Sequence, residues 1–245
     1  MTDEFIADKE VSDTLKLEAS IATPRQDKLV REVAVNINNE IIHQYGSYIP
    51  QETIVKVGGV EERILITNTE TFEQFHYEWD KITTDRSRLY YPEVTATVFT
   101  NGQVMAFEDP TKAWQRLSKE TQVDAISRFG SEAEARGVVA FTAIADFLCH
   151  EVVHQYQDEN LPKFFKELGA YFYQRQIATA LHFSFLIFDL DEARIQYYNS
   201  LLNRFGEDVH KIFFGSLLDS KRRTEILSSV TKDDINELFP EGMGL

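Results

Sequence analysis

Two histidines four positions apart with a glutamate after the first, His150, Glu151 and His154 in the run HEVVH, are the residues of this chain best able to do chemistry. On a helix, residues four apart differ by only about 40° in azimuth, so both imidazoles lean over one patch of space. That geometry suits zinc, which accepts imidazole nitrogen and in catalytic sites keeps three protein ligands and one open position. Glu167 is the candidate for the third ligand, giving one zinc ion per chain. Glu151 lies beside the first histidine, where a carboxylate reaches a water at the ion without ligating it, as a general base must.

The elements that must position these residues follow from the pattern around them. The apolar stretch Val138 to Leu148, VVAFTAIADFL, runs unbroken into the motif and predicts a buried helix of roughly five turns ending near Asp158. DENLP interrupts it, because proline is excluded from a helix interior and suits a helix start. A second helix is therefore expected from about Lys163, with Glu167 in its first turns. Other third ligands fail on inspection. The metzincin pattern needs glycine and histidine three and six residues past the second histidine, where this chain has Gln157 and Asn160. Cys149, the one cysteine, points about 100° away from His150 and reads as a small buried residue.

The segment HEVVHQYQDENLPKFFKELGAYFY resembles the gluzincin group of zinc metallopeptidases, in which an H-E-x-x-H helix is followed by a helix carrying a glutamate ligand, often in an LPxWxxEGxAxY/F phrase. Leu161, Pro162, Glu167, Ala170 and Phe172 fall at corresponding places. Leu168 stands where the group has glycine, with Gly169 one position later, and 12 residues separate His154 from Glu167. The likeness covers His150 to Phe172, under a tenth of the chain. It implies zinc ligation by His150, His154 and Glu167, a base role for Glu151, and a twisted sheet above the helix whose edge strand pairs with extended substrate.

Upstream, the expected fold is α+β and zincin-like: a small antiparallel sheet followed by a mainly helical lobe that carries the metal site. Residues 1–23 are acidic, poor in aromatics and read as a disordered tail, with a propeptide as the functional alternative. Residues 24–245 are expected to form a single domain, mixed α/β over 24–109 and helical over 110–245. Leu29, Val33, Ile37 and Ile41 recur at i, i+4 between Pro24 and Gly46, an amphipathic helix with His43 near its end as a surface or core histidine. TIVKV and VEERILI flank Gly58 and Gly59, and VTATVF and QVMAFE flank Asn101 and Gly102, two hairpin candidates. The edge strand is expected at Phe99 to Asp109, where main-chain hydrogen bonds would hold a peptide. Downstream segments read as further helices. Among them His182, Tyr197, Tyr198 and His210 are candidate donors to an oxyanion, though each also suits packing or the surface, and Asp189, Asp191 and Glu192 are candidates for orienting a ligand histidine or for a solvated helix start.

A chain of 245 residues, 43% hydrophobic, can bury a core. With 25 basic against 40 acidic residues its net charge of −15 opposes nucleic acid and anionic membrane as partners. The first twenty residues lack the basic start and apolar core of a secretory signal, and no apolar run approaches a membrane span, so the cytoplasm is the expected compartment. The leading expectation is a zinc-dependent metallopeptidase acting on a peptide or protein substrate. The alternatives are a zinc-binding regulatory or interaction protein on an inactive peptidase-like scaffold, and a hydrolase of non-peptide amides or esters using the same constellation. Oligomeric state is not legible in these residues.

Overall fold

In a computed structural model, residues 24–60, 64–66, 96–98, 105–107, 114–115, 117–182 and 189–240 are described. Their helices are α1 (Pro24–Tyr45), α2 (Gln51–Val57), α3 (Lys119–Phe129), α4 (Glu132–Tyr156), α5 (Lys163–Ala180), α6 (Asp189–Phe205), α7 (Asp208–Phe214), α8 (Ser220–Ser228) and α9 (Lys232–Leu238). A 3₁₀ turn, Gly46–Tyr48, follows α1. Strands among the described residues are three residues long: β1 (Ile64–Ile66), β2 (Ala96–Val98) and β3 (Met105–Phe107).

The expected sheet followed by a helical lobe is therefore corrected to a mainly helical fold. The clearest reason is TIVKV. It is not a strand but the body of α2, which starts behind Pro50, whose carbonyl accepts from the Thr53 and Ile54 amides, and ends at Gly58, whose amide reaches Ile54. Alternation over five residues cannot separate a strand from a short helix when Val57 alone needs burial; here Val57 is buried and Val55 is left exposed. β1 instead runs parallel to β3, pairing Ile64 with Met105. β2 and β3 pair antiparallel, Ala96 with Phe107 and Val98 with Met105, the pairing expected of the second hairpin; its turn residues Asn101 and Gly102 lie outside the described residues. The strand order is β1-β3-β2, so Met105–Phe107, the described part of the expected edge strand, is the central strand, bonded on both sides. The expected tail, residues 1–23, also lies outside the described residues.

The chain groups into two units, one drawn from residues 1–33 and 61–147, the other from 34–60 and 148–245. In the first, Ser118 caps α3 by accepting from the Thr121 amide, and Gln122 donates to the carbonyls of Trp114 and Leu117. Trp114 is buried, with Arg136 of α4 over its ring at 5.7 Å. Val33, Ala125, Ala135, Val139 and Ala145 complete its described core.

The second unit contains every candidate site residue. Its core is aromatic: Tyr45, Phe165, Phe172, Tyr173, Tyr198, Phe213 and Phe214 are all buried, with Ile37 and Ile41 of α1. Each such side chain contributes on the order of 1.5–3 kcal/mol when removed from water. Leu168 is fully buried, and the glycine displaced to position 169 has a packing reason. A Cβ at Gly169 would lie 2.2 Å from the Phe213 ring, so glycine lets α5 and α7 approach.

The turn between α4 and α5 is pinned at several points. The Asp158 amide donates to the Phe213 carbonyl at 2.8 Å, Arg223 pairs with the Asp158 carboxylate at 2.8 Å, and Lys166 donates to the Glu159 carbonyl at 2.8 Å. Lys56 of α2 pairs with the Glu159 side chain at 2.5 Å, and Tyr156 donates to Asn38 of α1. These bonds fix where α5 starts relative to the end of α4. Among the described residues, no helix is long and apolar enough to cross a membrane.

Candidate metal centre

Helix α4 ends at Tyr156, close to the expected Asp158, and α5 begins at Lys163 behind Pro162 as the spacing predicts. His150 and His154 thus occupy the last two turns of α4, and Glu167 the second turn of α5. The structure brings the three together. His150 Nε2 and His154 Nε2 are 3.0 Å apart, and Glu167 Oε2 lies 3.5 Å from the first and 3.6 Å from the second. Among the described residues they form a group able to hold a metal ion. Zinc bonds to nitrogen and oxygen of ~2.0–2.2 Å give a tetrahedron edges of about 3.3–3.6 Å. The observed triangle is close to one face of such a tetrahedron, so the donor set fits zinc in both chemistry and spacing.

Burial and charge are arranged consistently with that. The His150 side chain is 11% exposed, whereas that of Glu167 keeps 28% exposure, so the cluster has an inner wall and a solvent side. Burial opposes a charged His154, but the Glu167 carboxylate beside it, helped by Glu151 and Gln157, raises its pKa to about 9. Burial likewise penalises the Glu167 carboxylate, and the two histidines more than offset this, holding it well below the usual carboxylate range. With its pKa raised, His154 holds a proton in the metal-free chain, its Nε2 lying 3.0 Å from His150 Nε2 and 3.6 Å from Glu167 Oε2, where a cation would stand. Glu151 is half-buried on the next position round α4 and near enough for its charge to act on His154.

Three residues missed in the sequence reading belong to this centre. Gln174 Oε1 lies 3.0 Å from His150 Nδ1, and Gln157 Oε1 lies 2.9 Å from His154 Nδ1. Tyr171 packs its ring against His150, centroids 4.8 Å apart. Glu167, Tyr171 and Gln174 stand at i, i+4 and i+7, one face of α5, and that spacing was the available signal. Behind Tyr171 sits buried Arg194, its guanidinium 4.5 Å from the Tyr171 ring and 4.5 Å from Phe239, donating to the Leu238 carbonyl.

The remaining candidates lie elsewhere. Tyr198 and His210 join Tyr173 in a core network, Tyr173 Oη lying 3.0 Å from Tyr198 Oη and 2.6 Å from His210 Nδ1. Tyr197 bonds Asp234. His182 is exposed past the end of α5, and His43 is exposed beside Glu40 on α1. Asp191 accepts from Arg194 and Glu192 from Gln196, both within α6, while the Asp189 side chain lies outside the described residues. Cys149 is buried, a small core residue. No protein-family model, curated protein or solved structure matches the chain.

Proposed function

We propose that this chain is a zinc-dependent metallopeptidase in which His150, His154 and Glu167 hold one zinc ion and Glu151 is the general base. The observation that carries the reading is the convergence of His150 Nε2 and His154 Nε2, on the helix that also bears Glu151, with Glu167 Oε2 of α5 at 3.0–3.6 Å. The gluzincin resemblance of His150 to Phe172 supports it independently of the coordinates. When bound, the ion supplies Lewis acidity, polarising a scissile carbonyl and making water a better acid. The chain's own groups do the rest. Glu151 accepts the proton of the attacking water and delivers it to the leaving amine. The exposed side of Glu167 leaves an approach for a peptide or protein substrate.

The test compares wild type with Glu151→Gln, in the full chain and after removal of residues 1–23, against a broad peptide library read by mass spectrometry. The amide is nearly isosteric but accepts no proton, so zinc content is expected to persist while cleavage is lost. Equal cutting by both proteins would remove Glu151 as the base. A zinc-loaded wild type that cuts nothing would turn the reading toward a binding protein whose ion stabilises the fold.

A further inference from the structure

We propose that Gln174 and Gln157 are the positioning residues of this centre, each holding one histidine in the tautomer that ligates through Nε2 and doing so without adding charge. The proposal rests on the zinc reading above. It starts from two bonds. His150 Nδ1 faces Gln174 Oε1 at 3.0 Å, and His154 Nδ1 faces Gln157 Oε1 at 2.9 Å. An amide oxygen only accepts, so each Nδ1 carries a hydrogen and the lone pair of each neutral ring is left at Nε2, toward the other histidine and Glu167. The two Nε2 atoms lie 3.0 Å apart, and Glu167 Oε2 is 3.5 Å from that of His150 and 3.6 Å from that of His154. Turning either amide over would set its NH₂ against Nδ1 and move the hydrogen to Nε2, where a cation must bind.

The two glutamines are placed by different means. Gln174 is seven residues after Glu167 on α5, so one helix face brings both a ligand and the group that orients a histidine of α4. Gln157 is three residues after His154, just past the end of α4, and orients a ligand of its own helix. Metal-bound histidines are commonly oriented by a carboxylate or a backbone carbonyl. A carboxylate at either position would add a negative charge. With amides, two neutral imidazoles and one carboxylate face a dication and leave the centre at net +1. Such an electron-poor centre favours a carbonyl oxygen that gains negative charge during hydrolysis.

Zinc affinity, measured by competition with a chromophoric chelator, separates these roles without recourse to activity, and nitrogen NMR of the metal-free protein reports the His150 tautomer. Gln174→Met is expected to weaken zinc binding by about 10–100-fold, and to replace the single Nδ1–H form of His150 by a mixture. Gln174→Glu is expected to keep that form and bind zinc about tenfold more tightly than wild type, since a charged acceptor makes the imidazole a stronger donor. Gln157→Met, outside the helices, tests the second histidine with less bearing on folding and carries the proposal if Gln174→Met does not fold. Unchanged affinity and tautomer in the methionine variants, alongside loss of zinc in His154→Ala, would overturn the positioning role and leave the zinc reading standing. A wild type that holds no zinc would overturn both.

Discussion

Helix α5 presents two faces that divide the labour of this unit. One carries Glu167, Tyr171 and Gln174, all partly exposed, turned to the histidines of α4. The other carries Phe165, Leu168, Gly169, Phe172 and Tyr173, all buried, with Phe172 stacked on Tyr198 of α6 at 4.6 Å and Tyr173 against Phe213 of α7 at 4.6 Å. On the first face, geometry is set by a few directional bonds among groups that are costly to desolvate. On the second it is set by close packing, where the stabilisation resides. A carboxylate can be held near two imidazoles because the far side of its helix cannot move.

The sharpest test of that division is Glu167→Ala. It is expected to lower zinc affinity by more than about 100-fold, beyond the usual effect of outer-shell changes, while Glu159→Ala, whose exposed carboxylate pairs with Lys56, leaves it unchanged. Chelator competition ranks the two, and a larger effect at Glu159 would put the third ligand in the turn. The next effect follows from the proton on His154. Because its pKa in the metal-free chain is about 9, zinc must displace that proton below pH 9. Affinity should therefore rise about tenfold per pH unit from pH 7 toward 9, with one proton released per zinc on calorimetry in buffers of different ionisation enthalpy; a flat profile would contradict the imidazolium.

Gly169→Ala probes the opposite face. The methyl group meets the Phe213 ring, so a stability loss of about 1–3 kcal/mol is expected in denaturant titration. Zinc affinity should stay within a few-fold of wild type, and a large drop would show that the two faces are not separable. The smallest effect belongs to His210. Burial lowers its pKa against the pull of Glu207, and its Nδ1 lies 2.6 Å from Tyr173 Oη in the aromatic core. A histidine depressed on folding contributes stability that is complete above its unfolded value of ~6.5 and is lost as pH falls through that value. Zinc-loaded wild type should thus lose stability on acidification below about pH 6.5, and His210→Asn should show a shallower slope. Acid weakens zinc binding in both loaded proteins, so the His210 contribution is the difference between their slopes; in metal-free samples His154 acts with the opposite sign, its contribution full below ~6.5 and lost as pH rises through about 9.

How much of this was legible differs between local and tertiary features. The convergence of His150, His154 and Glu167 was readable because four residues on a helix is a geometric constraint, and because Pro162 marks the start of the helix that carries Glu167. The helix Pro24–Tyr45 was readable from Val33, Ile37 and Ile41, all buried; the Leu29 side chain lies outside the described residues. TIVKV misled because β-branched residues favour strands only until packing overrules them, and Val57 is buried equally well from one turn of helix. The β1–β3 pairing joins segments about forty residues apart, with no local sign in either. Gln157 and Gln174 are polar residues of kinds that usually face solvent, and only the position of a histidine ring on another element gives Gln174 a task. The displaced glycine looked like a departure from a motif; the Phe213 ring, 44 positions on, explains it.

The Asp158 amide has a consequence for exchange with solvent. Turn amides ordinarily trade their hydrogens quickly, but this one ends on the Phe213 carbonyl at the close of α7. It can be released only by an opening that parts the turn from that helix, so its exchange clock should run with the aromatic core and not with neighbouring Glu159 and Asn160, which are exposed. A single slow amide between the histidines and Glu167 would make the link that spaces these three side chains a member of the core's own opening unit.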